Sequence, residues 1–170
     1  MLCKFYKLRN TGNFFYLLGP FFSFLIWFKL VLLNVLKKKN ITVKNQLTDT
    51  SIVIGDEKRL NTVFSNLLDN SIKYSPENKN IYISKNENSN KLLEKNIMIG
   101  IKDEGYGIPQ EHISRVTERF YRVDTEQSKK AGGTGLGLAI VKHIITQHRG
   151  DFEILSEVGK GTEIRIYLPS

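Results

Sequence analysis

The 170 residues are 41% hydrophobic, enough for one core, and the single cysteine, Cys3, excludes an internal disulfide. The net charge of +8 sits almost wholly in residues 1–40, which carry seven basic side chains and no acid, while the rest carries 18 basic and 17 acidic ones. A near-neutral body argues against nucleic acid as a partner, and the absence of a CxxC or Cys/His cluster argues against a structural metal.

Residues 14–36, FFYLLGPFFSFLIWFKLVLLNVL, are apolar and aromatic. A membrane span needs about 20 such residues, but Gly19-Pro20 and Lys29 interrupt this run. Basic residues on both sides leave its orientation open. A secretory signal ranks low because no A-x-A-like cleavage site follows. Three readings compete: an inner-membrane span over the whole stretch, a membrane or interfacial anchor over 14–27 alone, and an irregular apolar extension packed on the domain. A division into an N-terminal segment 1–28 and a domain 29–170 follows, with Lys29–Lys38 as the domain's first helix.

From Asn40 the composition is that of an ordinary soluble domain. Ile41-Thr42-Val43 and Ser51–Ile54 read as short strands. Asp56 is a fair N-cap for a helix from Glu57 to Tyr74, stopped by Ser75-Pro76. Leu60, Val63, Phe64, Leu67, Leu68 and Ile72 form its apolar arc. Asn66, Asn70 and Lys73 share one flank beside that arc. Two amides and an ammonium there can face one ligand, since amide oxygens suit Mg²⁺ and an ammonium suits phosphate. A solvated helix flank has the same spacing.

Ile81–Ile83 and Ile97–Lys102 are strand candidates joined by polar residues 84–96. The second runs into Asp103-Glu104-Gly105-Tyr106-Gly107, a carboxylate at a strand end before a tight, glycine-rich turn. Such an acceptor can take a hydrogen bond from an exocyclic amine, one way to select adenine; a common turn looks the same. Gln110–Arg119 reads as a polar helix, followed by Phe120-Tyr121 between Arg119 and Arg122. Residues 123–132 are polar and aperiodic, as a lid over a ligand would be.

Residues 131–142, AGGTGLGLAIVK, begin as a glycine-rich loop and end as an amphipathic helix running from about 135 to His148. Glycines 133, 135 and 137 would bare backbone N–H groups at a helix N-terminus, a site for anions; a flexible turn is the competing reading. A hairpin over about 151–156 and 162–168 closes the chain through Gly159-Lys160-Gly161. Helices alternating with hairpin strands predict an α/β two-layer sandwich, a mixed sheet packed on about three helices. A dinucleotide-binding oxidoreductase is disfavoured, because the glycine run lies late in the chain and outside a βαβ unit.

Five segments in order resemble the catalytic, ATP-binding domain of bacterial sensor histidine kinases, whose superfamily includes gyrase B, the Hsp90 chaperones and MutL. They are NLLDNSIKY at 66–74, DEGYGI at 103–108, ERFYR at 118–122, GGTGLGLAIVK at 132–142 and GKGTEI at 159–164. The TERFYRVDTE and GGTGLGLAIVKHI stretches look most like the phosphate-responsive sensor kinases.

The resemblance implies a Bergerat-type ATP-binding fold with ATP and Mg²⁺ as its ligands. Asp103 would bond the adenine amino group. Asn70 would hold Mg²⁺, with Asn66 and Lys73 nearby. Gly105 and Gly107 would shape the adenine side, the amides around Gly133, Gly135 and Gly137 would close on the phosphates, and Thr162 would support the pocket. Arg119 and Arg122 would approach the phosphates as the lid orders. Glu104, where many relatives carry Asn, would alter a metal-side or lid contact. Asn66 stands where ATP-hydrolysing branches have a glutamate base, and an amide cannot serve as one. Phosphoryl transfer to a protein side chain is therefore expected over hydrolysis.

No phosphoacceptor motif, a histidine followed by an acid and Arg-Thr-Pro, occurs in residues 1–40. His112, His143 and His148 read as structural or surface residues. The expectation is a truncated or split kinase acting from the cytoplasmic side on a histidine domain in trans, with a response regulator downstream. A non-catalytic ATP-binding remnant and a stand-alone anti-sigma-type serine kinase are the alternatives.

Overall fold

The computed structural model describes residues 2–4, 35–47, 52–86, 96–123, 126 and 132–169. Most of the apolar stretch 14–36, the connection 87–95 and most of the lid lie outside the described residues. Among the described residues no helix is long and apolar enough to cross a membrane.

The elements in chain order are β1 (Leu2–Lys4), β2 (Thr42–Asn45), β3 (Ile52–Ile54), α1 (Glu57–Tyr74), β4 (Asn80–Asn86), β5 (Asn96–Asp103), α2 (Gln110–Ile113), α3 (Gly137–Gln147), β6 (Asp151–Glu157) and β7 (Gly161–Pro169). A further helical stretch over 35–39 precedes β2. Five strands make a mixed sheet in the order β2-β4-β5-β7-β6, with β2 parallel to β4 and the other pairs antiparallel. β1 and β3 pair separately, antiparallel.

The sheet is built from β-branched residues at every second position. Ile83, Ile101, Ile164 and Ile154 stand side by side in register across four strands. Ile99, Ile166 and Phe152 form the next row. These isoleucines face α1 and α3, whose buried residues recur at helical spacing: Leu60, Val63 and Leu67 on α1, and Val141, Ile144 and Ile145 on α3.

Both ends of α1 are set locally. Asp56 accepts from the Arg59 N–H at 3.0 Å, and its carboxyl is held below the usual range, chiefly by that bond. Ser75 ends the helix in extended backbone before Pro76. His148 joins α1 to α3: its Nε2 accepts from the Asp56 N–H at 2.9 Å, and its Nδ1 lies 2.8 Å from the Ile144 carbonyl. Nδ1 therefore carries the proton, and this histidine is structural.

The expected helix over Gln110–Arg119 is shorter than its polar sequence suggests. α2 ends at Ile113, and tight three-residue turns follow, from Arg115 N–H to the His112 carbonyl and from Glu118 N–H to the Arg115 carbonyl. This route delivers Phe120, with φ 65°, to the glycine run.

Candidate functional site

Period-2 alternation puts Asp103 on the same face of β5 as Ile97, Ile99 and Ile101, at the strand's end. Asp103 is therefore 6% exposed, among core residues. One oxygen, Oδ1, accepts from the Gly105 N–H at 2.9 Å and the Thr162 N–H at 3.1 Å. Burial pushes the carboxyl above its ordinary 3.8, opposed by those two N–H groups and by a hydrogen bond from the Ser71 hydroxyl. The Thr162 hydroxyl is turned away, bonded to the Ser156 hydroxyl at 2.8 Å. Ser156 also accepts from the Ile108 N–H at 2.8 Å and donates to the Gly161 carbonyl at 3.1 Å. The β6–β7 hairpin and the loop after β5 are thus locked around one carboxylate.

That loop also rests on the end of α1. The Tyr106 N–H donates to the Tyr74 carbonyl at 3.1 Å. A Cβ at Gly105 would stand 2.6 Å from the same oxygen, so no side chain fits there.

The second glycine run faces the flank of α1. A Cβ at Gly137 would lie 3.1 Å from Asn66 Oδ1 and 3.6 Å from Asn70 Nδ2. Asn66 donates its Nδ2 to the Thr62 carbonyl at 2.8 Å, which turns Oδ1 toward Gly137. Lys73 pairs with Asp69 at 2.6 Å. Both amides stand beside Gly137, and the Lys73 ammonium shares its charge with a neighbouring acid. Gly135 has φ 70°, and its carbonyl accepts from the Phe120 N–H at 2.9 Å.

A cavity of about 590 Å³ opens between α1, the loop after β5 and the glycine run. Asn66, Asn70, Lys73, Asp103, Gly105, Gly107, Gly133, Gly135, Gly137, Thr162 and Arg122 all line it. Arg119 is exposed and is not part of its wall. The volume falls within the ordinary range for small-molecule sites.

Glu104 lines the cavity too, but its carboxylate is engaged elsewhere. Oε2 accepts from the Asn80 N–H at 3.0 Å and its Nδ2 at 3.1 Å, and Oε1 accepts from the Tyr82 hydroxyl at 2.9 Å. These bonds, the Asn80 N–H first, hold its carboxyl below 4.5, and they raise the Tyr82 phenol. Glu104 thus ties the end of β5 to β4.

Three contributors were hidden in the sequence. Ser71 is buried on α1, and its hydroxyl serves Asp103. Tyr121 lines the cavity and holds His112 Nδ1 at 2.6 Å, with the Arg115 guanidinium 4.3 Å from its ring centre. Lys39 reaches the end of α1 from outside all five motifs. A surplus hydroxyl on an apolar stripe was the one readable signal, at Ser71. His143 is exposed on α3.

Residues 55–170 match the family described as Histidine kinase-, DNA gyrase B-, and HSP90-like ATPase. The chain is 39% identical over 134 residues to the sensor histidine kinase WalK of Bacillus subtilis, covering 78% of this chain and 21% of that protein. It is 44% identical over 108 residues to the phosphate regulon sensor protein PhoR of Pseudomonas aeruginosa, covering 64% and 23%. Among solved structures, the mycobacterial sensor histidine kinase MprB aligns at a TM-score of 0.68 and 30% identity, over 84% of this chain and 92% of that one. The chain spans about a fifth to a quarter of these two curated relatives. It belongs to the histidine kinase-, gyrase B- and HSP90-like ATPase family, and its domain is the ATP-binding catalytic domain of sensor histidine kinases.

Proposed function

We propose that this domain binds ATP with Mg²⁺ and transfers the γ-phosphoryl group to a histidine presented in trans by a separate helical domain. The observation that carries the reading is the joint placement of Asp103, the Asn66–Asn70 pair and the three glycines around one cavity. Asp103 selects adenine: Oδ1 takes the Gly105 and Thr162 N–H groups, the Ser71 hydroxyl adds a third bond, and the carboxylate's remaining acceptor capacity meets the exocyclic amine. The amide oxygens of Asn66 and Asn70 suit Mg²⁺, with Asn70 the ligand, and the ion would neutralise phosphate charge. Amides of the run 133–137 would hold the phosphates, with Lys73, Arg122 and Arg119 adding positive charge.

In the reaction an imidazole nitrogen attacks the γ-phosphorus. The bond from that phosphorus to the β–γ bridging oxygen breaks, ADP leaves, and the histidine's proton passes to solvent. The protein contributes positioning and charge neutralisation. Asn66 cannot act as a base toward water, which favours transfer over hydrolysis. His112 and His148 are engaged with Tyr121 and the α1–α3 junction, and His143 is exposed on α3 outside the cavity wall, which supports an acceptor on another domain. In the two-component scheme a response regulator takes the phosphoryl group next, and residues 14–27 anchor the domain on the cytoplasmic face of the inner membrane.

Incubation with γ-labelled ATP and isolated phosphotransfer domains tests this. Acid-labile label on the acceptor is the expected result. Acid-stable label would indicate a serine kinase instead, and no label on any acceptor would count against transfer. Fractionation of the full chain tests the anchor, which recovery in the soluble fraction would overturn.

A further inference from the structure

The residues before β2 are fastened to the far end of α1. Asn40, with φ 49°, closes the helical stretch 35–39: the Ile41 N–H donates to the Leu36 carbonyl at 2.9 Å and the Asn40 N–H to the Lys37 carbonyl at 3.1 Å. This is a Schellman close, with asparagine in the left-handed position and an apolar contact beside it from Leu36 and the buried Ile41. It fixes the direction of Lys39, while Lys37 and Lys38 remain exposed.

Lys39 then crosses to α1. Its Nζ donates to the carbonyls of Ile72 at 2.8 Å, Lys73 at 3.1 Å and Ser75 at 2.8 Å. An ammonium has three protons, and all three are used. The last carbonyls of a helix lack partners within it and carry its negative end, so a cation there is favoured. The next carbonyl, Tyr74, is taken by the Tyr106 N–H. Lys39 and the loop after β5 therefore share one helix end. Around them the Asn78 N–H donates to the Lys39 carbonyl at 2.8 Å, and the Thr42 N–H to the Lys79 carbonyl at 3.0 Å.

We propose that Lys39, which lies outside the residues matched to the family, is a positioning residue for the nucleotide site. By holding the last turn of α1 it sets Lys73 and the Tyr74 carbonyl, and through Tyr106 and Gly105 it sets the loop beside Asp103. The segment arriving from the N-terminal side is thereby coupled to nucleotide affinity. The proposal rests on the ATP reading given above.

Titration of the full chain with ATP and Mg²⁺ by calorimetry, well below each variant's melting point, tests it. Lys39→Met keeps the aliphatic stem and loses the donors; it should weaken binding at least about fivefold, the lower end of ordinary coupling between sites. Lys39→Arg should restore most of that loss, and Lys38→Met should bind as the wild type does. A folded Lys39→Met protein with a lower melting point and unchanged affinity would show a purely structural cap and overturn the proposal. Should Lys39→Met not fold, amide exchange on the wild type decides, because coupling is reciprocal. Nucleotide should slow exchange of the Asn78 and Thr42 amides, and unchanged rates would overturn it. A wild type that binds no nucleotide would overturn the ATP reading first, and this inference with it.

Discussion

The Phe120 N–H donates to the Gly135 carbonyl at 2.9 Å, and a Cβ on Gly135 would fall 2.7 Å from the Phe120 carbonyl carbon. One contact thus ties the ERFYR stretch to the glycine run, with both residues in left-handed backbone, Phe120 at φ 65° and Gly135 at φ 70°. Such a conformation in a phenylalanine is costly and persists because its surroundings impose it.

Gly135→Ala should therefore separate the two segments. A side chain in left-handed backbone costs about 1–2 kcal/mol before any clash. If the strain is relieved by moving the loop, affinity for ATP falls at least about tenfold, one decade per 1.4 kcal/mol. Calorimetric titration checks this, and an unaltered dissociation constant would show that the loop position is irrelevant to binding.

Asp103 sets function against stability. Its carboxyl titrates above 3.8 in the folded protein because it is buried. The folded state thus holds the proton more tightly than the unfolded one. The resulting stabilisation is full below pH 3.8 and is lost as pH rises through the folded-state value, so an ionised Asp103 is a cost near neutrality. Asp103→Asn removes that cost and can still accept from Gly105 and Thr162. At pH 7 its melting temperature should equal or exceed the wild type's. Affinity for ATP should drop about 10- to 100-fold, since a hydrogen bond to a charged group is worth about 1.5–3 kcal/mol. Calorimetry and thermal unfolding side by side read both effects.

Glu104 titrates the other way. Its folded-state carboxyl lies below 4.5, so its contribution is present above pH 4.5 and is lost as pH falls through the folded-state value. Glu104→Gln should lower stability at pH 7 by less than about 1 kcal/mol, as befits a solvent-screened site. The deficit should vanish in acid. Urea unfolding of both proteins over a pH series descending from 7 checks this; a deficit that does not shrink as the pH falls would assign the effect to packing.

The sequence reading and the structure agree best where local rules decide. The bounds of α1 follow from a capping aspartate and a Ser-Pro stop. The rows of isoleucine follow from period-2 alternation. The cavity residues were legible because five motifs carry them, although nothing local says that Asn66 should face Gly137. The differences have long-range causes. The helix read from residue 135 begins at Gly137, because Gly135 is held in left-handed backbone against Phe120. The stretch Gln110–Arg119 leaves the helix after Ile113, because the chain must turn to bring Phe120 to Gly135. Lys39 was one lysine in a run of three, and only the docked end of α1 distinguishes it. The partners of Glu104 could not be read locally, because Asn80 and Tyr82 lie on another strand.

The most direct test of the central claim is an ATP titration by calorimetry, with and without Mg²⁺, on the wild type, Asp103→Ala and Asn70→Ala. The account predicts that the wild type binds, that Asp103→Ala loses affinity in both conditions, and that Asn70→Ala loses chiefly the Mg²⁺-dependent part. A folded wild type that binds no ATP, or an Asp103→Ala protein that binds as the wild type does, would contradict it.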